Sequence, residues 1–187
     1  MAGRFAAVFL DKDGTLVENV PYNVDPQKIK LAAGAEEGLP ALYRAGFQMV
    51  VVSNQSGVAR GIFPESALAP VETRLRELLA GLGVPLAGFY YCPHHPDGSV
   101  AAYARLCECR KPAPGLILRA EKELQLDLGR SWFVGDIADD VEAGRRAGCR
   151  TILVGDGREC DKDSPPDHVA VDLADAALFI LRRRASF

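Results

Sequence analysis

A chain of 187 residues, 48% hydrophobic and 25% charged, is long enough for one α/β domain with a substantial core and short for two. Its net charge of −3 argues against nucleic-acid binding, which rests on a clustered excess of Lys and Arg; the basic run Arg182-Arg183-Arg184 reads as a solvated helix end. No stretch approaches the roughly 20 apolar residues of a membrane helix, and Met1-Ala2-Gly3-Arg4-Phe5 has none of the regions of a secretory signal, so a cytoplasmic, monomeric protein without a membrane or nucleic-acid partner is expected.

The apolar run Phe5-Ala6-Ala7-Val8-Phe9-Leu10 stops abruptly at Asp-x-Asp-Gly and suits a strand buried on both faces. Residues 14–34 carry Gly, Pro and Asn without periodicity, which predicts a loop or small flap at about 14–30. Over 35–46, Leu39, Leu42 and Tyr43 share one helical side and Gly46 ends the pattern. Met49-Val50-Val51-Val52-Ser53-Asn54 is a second buried strand with a polar end. After Pro64, the residues Leu68, Val71, Leu75, Leu78 and Leu79 recur at helical spacing up to Gly81. Phe89-Tyr90-Tyr91 reads as a third strand. Residues 114–126 read as a helix, and Ser131-Trp132-Phe133-Val134-Gly135-Asp136 as a fourth strand. A helix over 139–147 is capped by Gly148, Thr151-Ile152-Leu153-Val154 makes a fifth strand, and a helix spans roughly 172–184. The Pro-rich stretch 164–167 reads as a loop, and no internal repeat is present.

Strands alternating with helices predict an α/β fold: a single domain over 1–187 built on a doubly wound, Rossmann-like parallel sheet with helices on both faces. Such sheets bind ligands beyond the carboxyl ends of their strands. The first, second and fourth strands end at Asp11, Ser53 and Asp136, which places these three polar residues around one site.

If extended geometry continues past the first strand, Asp11 and Asp13 share a face and Lys12 turns away. Alone, this motif is as compatible with a turn as with a site. Its company tips the balance: Ser53-Asn54 close the next strand, Lys111 precedes a Pro-initiated helix, and Gly135-Asp136 with Asp139 and Asp140 close a later strand. A carboxylate can attack phosphorus, further carboxylates can hold Mg²⁺, and a cation with hydroxyl donors can stabilise the transferring group.

Asp11-Lys12-Asp13-Gly14-Thr15, Ser53-Asn54, Lys111 and Gly135-Asp136-x-x-x-Asp140 resemble, in order and spacing, the four motifs of the haloacid dehalogenase-like superfamily, and the resemblance covers essentially the whole chain. It implies a Mg²⁺-dependent phosphomonoester phosphatase. Asp11 would be the nucleophile and a Mg²⁺ ligand. Asp13 would be the general acid and then the base that activates water, its backbone carbonyl also reaching the metal. Ser53 and Lys111 would hold the phosphoryl group, and Asp136 would complete the Mg²⁺ site. Asp139 and Asp140 stay open between orienting the metal's water shell and facing the helix dipole.

Cys92-Pro93-His94 and, twelve residues further on, Cys107-Glu108-Cys109 offer three thiolates and one imidazole, the ligand number of a closed structural Zn²⁺ site. In a cytosolic chain such a cluster reads as metal binding rather than a disulfide framework. His95 would face away from His94 and is left out, while Cys149 and Cys160 read as core or surface residues. A zinc loop over about 92–110 runs directly into Arg110-Lys111-Pro112, so what fixes Cys109 also fixes both cations.

Ser53-Asn54-Gln55-Ser56-Gly57-Val58-Ala59-Arg60-Gly61, Tyr90-Tyr91-Cys92-Pro93-His94-His95-Pro96 and the twelve-residue spacer resemble a branch of the superfamily without a large cap. That branch removes the 7-phosphate of a heptose 1,7-bisphosphate in nucleotide-heptose synthesis. The resemblance implies substrate contacts from Asn19 and Tyr22 in the flap, from Ser53, Asn54, Gln55 and Ser56, and from Arg110 and Lys111, with Arg110 binding the second phosphate as a planar fork. The alternatives are histidinol phosphate, whose phosphatases usually have a much shorter spacer, and a non-catalytic phosphate-binding module. Two positions depart from the branch, which often carries Asp near Asn19 and Lys in place of Ile137.

Overall fold

The computed structural model describes residues 4–158, 160 and 164–184, so residues 1–3 of the N-terminal reading and the last three of the 1–187 domain lie outside the described residues. Six strands, β1 (Ala7–Leu10), β2 (Gln48–Asn54), β3 (Leu86–Cys92), β4 (Trp132–Gly135), β5 (Arg150–Val154) and β6 (His168–Ala170), form one sheet in the order β3-β2-β1-β4-β5-β6. Every pairing is parallel. The chain winds outward from β1 to β3, returns to the middle at β4, and winds out the other way.

Alternation along the central strands sends side chains to two cores, which is why these strands read as unbroken apolar runs. Val8, Leu10, Met49, Val51, Val134 and Ile152 pack under helices α1 (Ala35–Arg44), α2 (Leu68–Gly81) and α5 (Leu173–Arg184). Ala7, Phe9, Val50, Val52 and Phe133 face α3 (Gly115–Leu124) and α4 (Ala138–Ala147), with the rings of Phe9 and Phe133 stacked 6.4 Å apart. Between β1 and α1 there is only a 3-10 turn, Pro26–Lys28, and no large cap domain is inserted. The expected doubly wound sheet with helices on both faces is present.

Two readings of the sequence need correction. The first strand begins at Ala7, because Phe5 is 52% exposed and makes only an isolated bridge to Leu126. A sixth strand, β6, follows the Pro-rich loop. It has three residues and pairs on one side only, with β5, so it is too short to show the period of two by which strands are recognised. Its first side chain, His168, stacks on Phe179 of α5 at 3.9 Å.

Candidate active site

Leu10 of β1 pairs with Val51 of β2 and Val134 of β4, so β1 and β4 end nearly level while β2 runs three residues further, to Asn54. Between β1 and β4 the winding reverses, and the side chains just past the strand ends open into the crevice formed there. Asp11 leaves β1 with its N–H still bonded to the Val134 carbonyl at 3.0 Å. The chain then turns sharply, with Leu16 N–H returning to the carbonyls of Asp11 and Lys12. Gly14 sits at φ 89°, and a Cβ on it would lie 2.3 Å from Asp136 Oδ2, so glycine lets the β1 turn and the end of β4 touch.

This turn overrides the expected alternation. Lys12 does not point away: it is 1% exposed and its Nζ lies 2.5 Å from Asp13 Oδ1. The other oxygen of Asp13 accepts from Gln55 Nε2 at 3.3 Å, and the same Nε2 donates to Ser53 Oγ at 2.8 Å. Burial raises the Asp13 carboxyl above its ordinary pKa, against the lowering effect of Lys12.

Asp11, Asp136 and Asp140 bring carboxylate oxygens within 4.8 Å of one another. The Lys111 ammonium, 2% exposed, donates to Asp11 and to the Val52 carbonyl (3.1 Å) and ion-pairs with Asp140 Oδ1 at 2.6 Å. Asn54 holds the Lys111 backbone from both sides, donating to its carbonyl at 3.1 Å and accepting its N–H at 3.0 Å. Burial alone would lower the Lys111 pKa, but the charges of Asp11 and Asp140 outweigh it and keep the ammonium protonated. Asp140 is fully buried, and its Oδ2 reaches back to the N–H groups of Asp136 (3.2 Å) and Ile137 (3.4 Å) at the start of α4. Burial opposes its ionisation, yet an ammonium and two N–H donors surround it, which holds the pair as an ion pair.

Of the two acids left open by the sequence, Asp140 is therefore the one built into the site, and Asp139 stays half-buried in the first turn of α4. A signal was available: Asp140 lies on the inward face of α4 with Gly144 and Ala147, whereas Asp139 does not.

Could this site hold a divalent cation? Asp136 carries its carboxyl up to about 6, first through burial and second through the charge of Asp11. Two carboxylates that repel each other beside a crevice are the oxygen donors Mg²⁺ takes, and the cation would remove the repulsion. The sign of the pH effect follows. A carboxyl raised in the folded state binds more protons there than in the unfolded chain, so this stabilisation is fully present below pH 4 and is lost as pH rises through about 6. A divalent cation would bind the ionised pair, so the gain in Tm on adding Mg²⁺ is expected to grow from pH 5 to pH 7 in thermal melts. A gain constant over that range would contradict the assignment of Asp136.

Asn19, Val20 and Tyr22 of the flap and Asn54, Gln55, Ser56 and Asp13 line a small cleft of about 120 Å³. Tyr22 adopts a left-handed conformation (φ 54°) and leaves its ring 49% exposed at the mouth. Arg110 is absent from this lining and lies against the His94 carbonyl, 3.5 Å from Nη1. Ile137 is exposed.

At the end of β3, the sulfurs of Cys92, Cys107 and Cys109 lie 3.1–3.5 Å apart, and His94 Nδ1 is 3.3 Å from Cys109 Sγ and 3.7 Å from Cys92 Sγ. A tetrahedral Zn²⁺ with bonds of about 2.3 Å asks for sulfur separations of about 3.8 Å, so the four groups fit such an ion after a small outward relaxation. Burial raises the Cys92 and Cys109 thiols, and a metal there would displace their protons. His95 turns outward, with Nδ1 accepting the Asp97 N–H at 3.1 Å. The loop is also anchored by Glu65, which accepts from Tyr91 (3.1 Å) and Tyr103 (2.6 Å). These partners are 26 and 38 residues away from Glu65, and no local pattern announces them.

Comparison with known proteins follows the same lines. The HAD-hydrolase-like family model matches residues 108–176. D-glycero-β-D-manno-heptose-1,7-bisphosphate 7-phosphatase of Yersinia pestis is 40% identical over 178 residues, covering 94% of this chain and 95% of the relative. The protein of that name from Escherichia coli K12 is 38% identical over 178 residues, with coverages of 94% and 93%. Among solved structures, D,D-heptose 1,7-bisphosphate phosphatase from B. bronchiseptica, complexed with magnesium and phosphate, superposes with a TM-score of 0.79 at 30% identity, over 95% of this chain and 99% of that one.

Proposed function

The chain belongs to the haloacid dehalogenase-like hydrolases, and we propose that it removes the 7-phosphate of D-glycero-D-manno-heptose 1,7-bisphosphate in nucleotide-heptose synthesis. The observation that carries the chemistry is the meeting of Asp11, Lys111, Asp140 and Asp136 where the parallel strands β1 and β4 end, with Asp13 beside them. The substrate is supported by the heptose phosphatases to which the chain is similar over nearly its full length.

In this reading Lys111 and Ser53 hold the phosphoryl oxygens while the Asp11 carboxylate attacks phosphorus. The bond from phosphorus to the sugar oxygen breaks, and Asp13, whose carboxyl burial raises above its ordinary range, serves as the acid that gives a proton to the departing oxygen. Asp13 then takes a proton from water, which attacks the aspartyl phosphate, releasing inorganic phosphate and restoring Asp11. Asp11, Asp136 and the Asp13 carbonyl would hold Mg²⁺, which would supply positive charge against the phosphoryl oxygens. Asn19, Tyr22, Asn54, Gln55 and Ser56 contact the sugar, and Arg110 contacts the second phosphate.

Zn²⁺ on Cys92, His94, Cys107 and Cys109 braces the loop that presents Arg110 and Lys111 and takes no part in the reaction. The 1–187 chain acts as one domain, with its flap at about 14–30 and its zinc loop at about 92–110. We place it in the cytoplasm as a monomer, since a charged sugar bisphosphate and reduced thiols both belong there. Among the described residues, no helix is long and apolar enough to cross a membrane.

Phosphate release with Mg²⁺ over heptose 1,7-bisphosphate, fructose 1,6-bisphosphate and histidinol phosphate tests the substrate. The heptose is expected to give the highest kcat/KM. A tenfold advantage for histidinol phosphate, about 1.4 kcal/mol of transition-state preference, would overturn it.

A further inference from the structure

His95 sits beside the Cys/His cluster without joining it, and its hydrogen bonds leave a conflict. Because Nδ1 accepts the Asp97 N–H at 3.1 Å, that nitrogen carries no proton, and the neutral ring must carry its proton on Nε2. Nε2 in turn lies 3.1 Å from Nη2 of Arg60. A guanidinium can only donate. Two donors therefore face each other, an arrangement that becomes favourable when an anionic oxygen accepts from both.

The backbone on both sides is fixed. Arg60 N–H donates to the Ser56 carbonyl at 3.0 Å, its own carbonyl accepts from Ser99 Oγ at 3.0 Å, and Val100 N–H donates to the Ala59 carbonyl at 2.9 Å. Gly98 packs so tightly on Ala59 that a Cβ there would lie 2.7 Å from its carbonyl oxygen. The turn after β2 and the outer part of the zinc loop are thus locked together. Arg110, against the His94 carbonyl, is a further cation whose charge acts on His95, with the Asp97 carboxylate acting in the opposite sense. The chain on one side leads from Arg60 back to Ser56 in the substrate cleft, and on the other from Arg110 directly to Lys111.

We infer that Arg60 and His95, with Arg110, form the seat of the substrate's second phosphate, the one that is not cleaved. A phosphate dianion offers several terminal oxygens to converging donors, and an oxygen between Nη2 and Nε2 resolves the conflict. This rests on the reading of the substrate as a bisphosphate. Arg60 and His95 are then specificity residues, remote from the bonds that break.

The test compares heptose 1,7-bisphosphate with heptose 7-phosphate and p-nitrophenyl phosphate in the wild type, Arg60→Gln, Arg60→Lys and His95→Ala. The wild type is expected to favour the bisphosphate over the 7-phosphate. Arg60→Gln is expected to raise KM for the bisphosphate about tenfold with kcat unchanged, and to leave both monoesters unaffected. His95→Ala acts in the same direction, and Arg60→Lys recovers part of the loss. An unchanged KM for the bisphosphate in Arg60→Gln overturns the seat, and so does an equal loss on all three substrates, which marks a structural role. A wild type that shows no preference for the bisphosphate brings down the substrate reading itself.

Discussion

Asp11→Asn is expected to cut turnover by at least about 10⁴-fold, a barrier increase of about 5 kcal/mol, while the chain stays folded. The amide has the shape of the carboxylate but not its nucleophilicity, so no aspartyl phosphate forms. The fold has little to lose. Lys111 keeps its contacts with Asp140 and the Val52 carbonyl, and Asp136, raised by burial and then by Asp11, is relieved of a like charge. The Tm of the metal-free variant should equal or exceed that of the wild type, and its response to Mg²⁺ should shrink. Residual phosphate release within tenfold of the wild type would remove Asp11 from the role of nucleophile.

Lys111→Met should damage both stability and activity, and a second substitution separates the two. Without the ammonium, Asp140 remains fully buried beside two N–H donors. Its carboxyl, raised by burial to about 7 even with Lys111 in place, is pushed further towards the neutral form, so the ion pair is lost from both sides. Breaking a buried pair from one side costs about 3–5 kcal/mol, which for a domain of this size lowers Tm by roughly 10 °C. Turnover should fall about 10³-fold as the charge facing the phosphoryl oxygens is lost. In Lys111→Met/Asp140→Asn, thermal melts should recover most of the lost Tm while phosphate release stays at the single-variant level. A single variant as stable as the wild type, or a double variant that regains turnover, would refute this division.

How far the sequence announces this site depends on the range of the interaction involved. β1, β2 and β4 are buried on both faces, so their apolar runs and polar ends are legible, and with them the approach of Asp11 to Asp136. The cap at Gly148 was equally plain, since it adopts the left-handed conformation glycine favours (φ 89°). Lys12 departs from the alternation expected of a strand because it lies two residues past β1, in a turn held by hydrogen bonds from Leu16 and Val17. The clasp of Glu65 on two tyrosines and the Gln55–Asp13 contact depend on partners brought close only by tertiary structure, whereas helical spacing with Gly144 and Ala147 is enough to set Asp140 apart from Asp139. β6, with three residues, is too short to carry any periodicity.

The place of β1 in the sheet also bears on how the protein is made. Of the six strands of this sheet it emerges first during synthesis, yet it lies in the middle, and Val8 pairs on one side with Met49 and on the other with Trp132. At translation rates of 5–20 residues per second, the second neighbour follows the first strand by on the order of ten seconds. During that interval a fully apolar strand has one edge unmatched, the condition under which nascent chains mispair or aggregate. Asp136 arrives with the same late segment, so the catalytic centre closes only when the two halves of the sheet meet.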